Sequence, residues 1–176
     1  MKKLLALLAL VGCSHGATTV LYDKGYKEEY STGVSASYQE KENKTRIGLD
    51  VLYQEPKKLP KVKRDISILS VDESGTEHTL LATPYFERSF LSYSPFAELS
   101  LTAYVGAGYE LSFVSEQKRY SIDEGAISSI GLSLDAKLVA RATFSTVVAE
   151  ILPLEYTLQI HSDFQPQHII GIGYRF

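Results

Sequence analysis

The chain has 176 residues, 44% of them hydrophobic, with one Cys, no Trp, 12 Tyr, a formal charge of −3 and a pI near 5.8. That length suits one domain, and the apolar content is too high for a disordered chain. The acidic balance argues against nucleic acid as a partner, which calls for a basic face, and no stretch approaches the roughly 18 apolar residues of a helical membrane span.

In chain order, the first element is a leader. "MKKLLALLALVGCSHGA", residues 1–17, sets Lys2 and Lys3 before an apolar run from Leu4 to Val11 and then small residues. That is the layout of a secretory signal peptide, and losing it takes the formal charge from −3 to −5 because two lysines and no acids go with it. Two cleavage points stay open. "LVGC" ending at Cys13 resembles a lipoprotein signal in which Cys13 becomes the lipidated N-terminus; otherwise Cys13 leaves with the peptide and the cut follows Gly16 or Ala17. Residues 18–176 then form a single exported domain with no cysteine pair to staple it.

From Tyr30 onward the dominant pattern is period-2 alternation, the signature of strands with two unlike faces. "YSTGVSASY" and "TRIGLDVLY" form a hairpin around a charged tip near Glu40–Asn43, with Arg46, Gly48 and Asp50 opposite Ile47, Leu49 and Val51. "QEPKKLPKVK", residues 54–63, reads as a connection because of Pro56 and Pro60. "RDISILSV" reads as a strand, and "DESG", residues 72–75, as a turn. "TEHTLLATPYFERSF" follows, with Pro84 at a bulge or facing away from the ladder, and "SYSP" breaks it. Phe96 to Val114 carries nine apolar residues in strict alternation, long for a soluble domain, where about 5–6 residues is typical. "SEQKRYSIDEG" reads as a polar loop. The strand "AISSIGLSLDAKLVAR" comes next, then residues 143–161 with a bulge or a break between Val147 and Pro153, the turn "SDFQP", and a last strand ending "HIIGIGYRF". The total is about eight strands, and about 20 residues for each strand and its connection.

Alternation does not say which face is inside. A soluble sandwich or barrel turns its apolar face inward; a membrane barrel does the reverse. The polar faces here are rich in Gly and Ser, which suits the crowded interior of an eight-stranded barrel. Their charges nearly balance: Arg46, Lys137, Arg141 and Arg175 against Asp50, Glu98, Glu110, Asp135 and Glu155. These nine are the expected lumen network, because confined charges persist when they pair. Aromatic residues near strand ends (Tyr30, Tyr38, Tyr53, Phe96, Phe113, Tyr174) fit interfacial girdles.

The C-terminus carries a motif. Gly171, Tyr174 and Phe176 match the last strand of bacterial outer-membrane β-barrel proteins, which the chain resembles; Ile169 stands where those proteins usually have a polar residue. The resemblance implies a closed antiparallel up-and-down transmembrane β-barrel of about eight strands, of the OmpA and OmpX kind. It implies outer-membrane lipids and the barrel-assembly machinery as partners, the latter through Gly171, Tyr174 and Phe176. On that footing the loops near Glu40–Asn43, Asp72–Gly75, Ser115–Glu124 and Ser162–Pro166 face outside, and the links near Gln54–Lys61 and Ser92–Pro95 face the periplasm.

The expected role is envelope-structural or an interaction, with at most a narrow pore. One alternative is a soluble periplasmic β-protein, free or tethered through Cys13, binding an apolar ligand. Another is a lipid A-modifying enzyme built on His161, Ser162 and Asp163, although adjacent strand residues point to opposite faces and need a turn to converge. His78, His161 and His168 are dispersed and accompany no thiolate, so neither a metal nor a cofactor is expected.

Overall fold

The computed structural model describes residues 16–26, 29–40, 44–66, 69–122 and 125–176. The leader through His15 and the fate of Cys13 lie outside them. Eight strands follow one another: β1 (Gly16–Tyr26), β2 (Tyr30–Glu40), β3 (Thr45–Ile66), β4 (Leu69–Phe96), β5 (Leu99–Ile122), β6 (Gly125–Val148), β7 (Leu152–His161) and β8 (Pro166–Arg175). Each pairs antiparallel with the next, and β8 returns to pair with β1 from Thr19↔Arg175 to Tyr26↔His168, so the sheet is a closed barrel.

The number of strands is the expected one, but the boundaries differ. Residues 16–26 form β1, a strand not foreseen, and it reaches into the segment assigned to the leader. The expected connection at 54–63 is part of β3. It continues as strand because the two prolines fall beside register shifts, between Gln54 and Lys57 and between Leu59 and Val62, where the ladder has no need of every N–H. The expected turn at 72–75 is strand within β4, and the expected loop at 115–125 is largely strand in β5. "RDISILSV" straddles the β3–β4 junction instead of forming a strand of its own. The ambiguity at 147–153 resolves as a break: Ala149 (φ 51°) and Glu150 (φ 64°) make the tight β6–β7 turn.

Antiparallel order puts the Tyr26↔Tyr30, Ile66↔Leu69, Ile122↔Gly125 and Ile160↔Pro166 ends together, called the far end below. The β2–β3, β4–β5 and β6–β7 connections share the other end with Gly16 and Phe176. Residues 41–43 of the expected 40–43 tip lie outside the described residues; Glu40 and Lys44 beside them are at the terminal end, not with residues 72–75 and 162–165, whose side the tip was expected to share. At the far end β3 continues past its last β2 partner, Gln54, and β6 begins well before its first β7 partner, Val139. Between them β4 and β5 stay paired out to Asp72↔Ser121. A four-stranded blade thus extends beyond the ring.

The pleat sets the sidedness. Leu132 is 82% exposed and Leu134 63%, and the outward rows carry Ile47, Leu49, Phe86, Val105, Phe144, Leu154, Ile170 and Ile172, all exposed. Inside are Arg46, Asp50, Glu87, Arg141, Thr143, Glu155, Gln159 and Gln167, all buried. This is an inverted protein: an apolar belt outside and a polar filling inside, which suits lipid and not water. Aromatics rim the belt. Tyr26 and Tyr30 have centroids 5.1 Å apart at the far end, and Tyr174 and Phe176 5.4 Å apart at the terminal end. Two outward histidines are capped by tyrosines, the half-buried His78 just above the belt by Tyr53, with Nδ1 at 2.7 Å, and the exposed His168 by Tyr156, with Nδ1 at 2.8 Å, so neither ring is left with that nitrogen bare.

Candidate functional site: a sealed polar lumen

The centre of the barrel is built around Glu87, which contacts no solvent. Its inward direction follows from odd-numbered β4 residues sharing a face with Thr83 and Tyr85, both buried. Glu87 Oε2 accepts from Arg46 Nε at 2.6 Å, and Oε1 accepts from Arg141 Nε at 3.1 Å and from Thr143 Oγ1 at 2.7 Å. Arg46 also donates to both oxygens of Glu155, at 2.7 and 3.0 Å, and Arg141 Nη1 donates to Asp50 at 2.5 Å. Ser145 and Gln159 complete the carboxylates at 3.0 Å each. β3, β4, β6 and β7 are tied across the lumen by charge-assisted bonds.

Two tyrosines close over the guanidinium groups. Arg141 lies 3.8 Å from the Tyr85 ring centroid and Arg46 4.2 Å from that of Tyr104, at cation–π distance. Tyr104 Oη donates to Gln39 at 2.9 Å. Gly48 makes the room: a Cβ there would stand 2.4 Å from the Tyr85 phenol. Gly48→Val is expected to lower stability by about 1–3 kcal/mol through overpacking, measured as a fall in the urea midpoint of the folded barrel. An unchanged midpoint would mean that the Tyr85 ring does not occupy this space.

Nearer the far end the filling changes character. Leu52, Leu81 and Ile169 pack together as a buried apolar cluster. This accounts for Ile169, the departure from the C-terminal pattern: its inward side chain meets two leucines. At Gly171 a Cβ would come within 2.3 Å of the Asp23 carboxylate, so the motif glycine leaves space for a lumen acid.

Of the nine residues expected to form the lumen network, Arg46, Asp50, Arg141 and Glu155 lie in the central cluster. Glu110 is buried and pairs with His161. Glu98 is not in the lumen. It belongs to the two-residue β4–β5 turn, is exposed, and helps line a 540 Å³ terminal mouth with Arg175, Gln39 and Glu150. Asp135 is exposed on β6 beyond the ring, and Lys137 is half exposed and bonds Asp163 at 2.7 Å. Parity gave Asp135 and Lys137 the correct face but not their height, and face alone does not bury a residue outside the closed ring. Glu87, Thr143, Gln159, Gln167, Tyr85 and Asp23 were missed. Glu87 sits in the segment whose faces are least distinct in sequence, and only the alternation with Phe86 and Arg88 could have signalled it.

The triad of His161, Ser162 and Asp163 does not assemble. His161 Nε2 stands 2.9 Å from Glu110, and its Nδ1 stands 3.0 Å from the Gln165 carbonyl. A carbonyl only accepts, so Nδ1 carries a proton, and neither nitrogen is free to take one from Ser162. Asp163 is engaged by Lys137 instead. Among the described residues no group of three or more His, Cys, Asp or Glu could hold a metal ion.

No protein-family model matches this sequence, and neither does any curated protein sequence. Solved structures do match. The N-terminal β-barrel domain of Pseudomonas aeruginosa OprF aligns over 92% of this chain and 99% of its own, at 15% identity and a TM-score of 0.50. The fold is that of the small eight-stranded outer-membrane barrels. Ail, the attachment invasion locus protein of Yersinia pestis, aligns over 93% of this chain and all of its own at 15% identity with a TM-score of 0.35. Neisserial surface protein A aligns over 92% and 94% at 15% identity with a TM-score of 0.41. At these identities the likeness is one of fold, and a chemical role has to come from this chain's own residues.

Proposed function

We propose that the chain is an outer-membrane barrel with a plugged lumen, whose role is envelope-structural or an interaction made through the blade beyond its ring. One observation carries the membrane reading: large apolar side chains cover the outside while charges fill the centre. A soluble carrier of an apolar ligand would need the reverse. The plug supports a non-conducting role, because Glu87, Thr143 and Gln167 are fully shielded at the level where a pore would have to pass.

The blade supports the interaction role. Its β6 margin, residues 125–137, has no partner strand on its open side among the described residues, and an unpaired edge can accept another strand. On the β3 margin Pro56, Pro60 and two register shifts interrupt the ladder, which blocks such pairing. The C-terminal strand β8 closes the ring against β1, and we take Gly171, Tyr174 and Phe176 as the signal read by the assembly machinery.

Folded protein in detergent or vesicles is expected to run faster on a gel unboiled than boiled. Reconstituted in planar bilayers, it is expected to give no stable unitary conductance. A mature chain that stays soluble without detergent would overturn the membrane reading; steady conductance steps would overturn the plug.

A further inference from the structure

The blade continues two faces of the barrel. Its inner face carries Lys57 and Lys118, both matched by acids: Lys57 by Glu29 at 3.5 Å, and Lys118 by Glu116 at 3.3 Å and Glu73 at 3.8 Å. Its outer face, read from the register, rises in rows from the apolar belt. Tyr53, Leu80, Phe113 and Leu134 form the top belt row. Two residues higher are His78, Ser115 and Leu132, then Lys58, Thr76, Gln117 and Ile130. Next, Arg119 and Ser74 face each other beside the β3 bulge that holds Lys61. Lys58, Lys61, Lys63 and Arg119 are all exposed, and none is in an ion pair among the described residues.

Two cavities lie on this path. One, of 420 Å³, is lined by Tyr53, Leu80, Phe113, Leu132 and Leu134 with His78 at its edge. The other, of 390 Å³, brings Lys61, Lys63, Arg119, Ser74 and Ser121 together, with Glu73 at its border already held by Lys118. The register sets Asp72 opposite Lys63, so the excess of positive charge rests on Lys58, Lys61 and Arg119, and an apolar slot below this basic, hydroxyl-bearing pocket is complementary to a lipid with an anionic head.

Height narrows the class. Arg119 lies six residues past Phe113, roughly 20 Å along the strand at about 3.3 Å per residue, or about 14 Å above the belt at a tilt near 45°. A phosphate carried on a sugar head reaches that height more readily than one held directly on glycerol.

We propose that this outer face is a binding site for a phosphorylated glycolipid of the surrounding leaflet, acyl chain in the slot and phosphate against Lys58, Lys61, Lys63 and Arg119. The site rests on the membrane reading above. The attraction is electrostatic and therefore salt-dependent.

The test uses the full chain folded into nanodiscs of neutral phosphatidylcholine, titrated with diphosphorylated lipid A and with the same lipid enzymatically dephosphorylated. The phosphorylated form is expected to bind at least about tenfold more tightly. Changing Lys58, Lys61 and Arg119 to Ser together is expected to remove that preference while the unboiled gel mobility stays the same. Lys57→Ser with Lys118→Ser, on the inner face, is expected to leave the preference intact. Excess inorganic phosphate is expected not to compete, since the acyl chain anchors the ligand. Equal binding of both lipids, or a triple variant that binds like the parent, overturns the site and leaves the barrel standing. Displacement by free phosphate also overturns the lipid assignment. A chain that does not insert into the neutral discs ends both readings.

Discussion

Replacing Glu87 with Ala is expected to destabilise the folded barrel by about 3–5 kcal/mol, the cost of stripping one partner from a buried charge cluster. Glu87 is the carboxylate shared by Arg46 and Arg141. Without it, two guanidinium groups that are 3% and 5% exposed face each other with less compensation than before. Thr143 also loses its acceptor on Glu87. The chain has no Trp, so the urea midpoint is best followed by far-UV circular dichroism or by the fraction running in the compact position on an unboiled gel. Glu98→Ala is the matched control. It removes an acid from an exposed turn and is expected to change stability by less than about 0.5 kcal/mol. Equal effects at the two positions would mean that the cross-lumen cluster is not what holds the interior. Replacing Glu87, Arg46, Arg141, Asp50 and Glu155 together by apolar residues is expected to recover much of the loss, because Asp50 and Glu155, which pair with the two arginines, leave with them.

Leu49→Arg is expected to cost about 2–4 kcal/mol in lipid vesicles, the penalty for a cation near the middle of the lipid-facing band. Leu49 is the central member of the outward β3 row, between Ile47 and Val51, with Tyr53 above. An arginine three residues earlier, Arg46, is tolerated because it points the other way, into Glu87 and Glu155. The comparison isolates sidedness from composition: one strand, one residue type, opposite faces. Unchanged stability of Leu49→Arg in vesicles, at a midpoint equal to the parent's, would contradict the outward assignment of the belt.

Much of this architecture was legible in the chain because a strand's side chains alternate with a period of exactly two residues. Arg46 and Asp50 could be placed opposite Leu49, and Arg141 opposite Ala140, without knowing which strands touch. Small residues on the charged face and the closing Gly171, Tyr174 and Phe176 then chose between the two possible senses of the barrel. Prolines misled in β3, where Pro56 and Pro60 read as a connection. A bulge can absorb the missing N–H, and sequence does not announce where a ladder will tolerate one.

By itself, the sequence determined the class of fold and the sense of its faces, since both follow from local alternation and composition. Tertiary structure alone decided height and partnership. Closing the ring set Glu87 between two arginines from β3 and β6, left Glu98 in a turn, and carried Asp135 past the rim. Those outcomes depend on stagger between strands far apart in the chain, and a period of two carries no information about stagger.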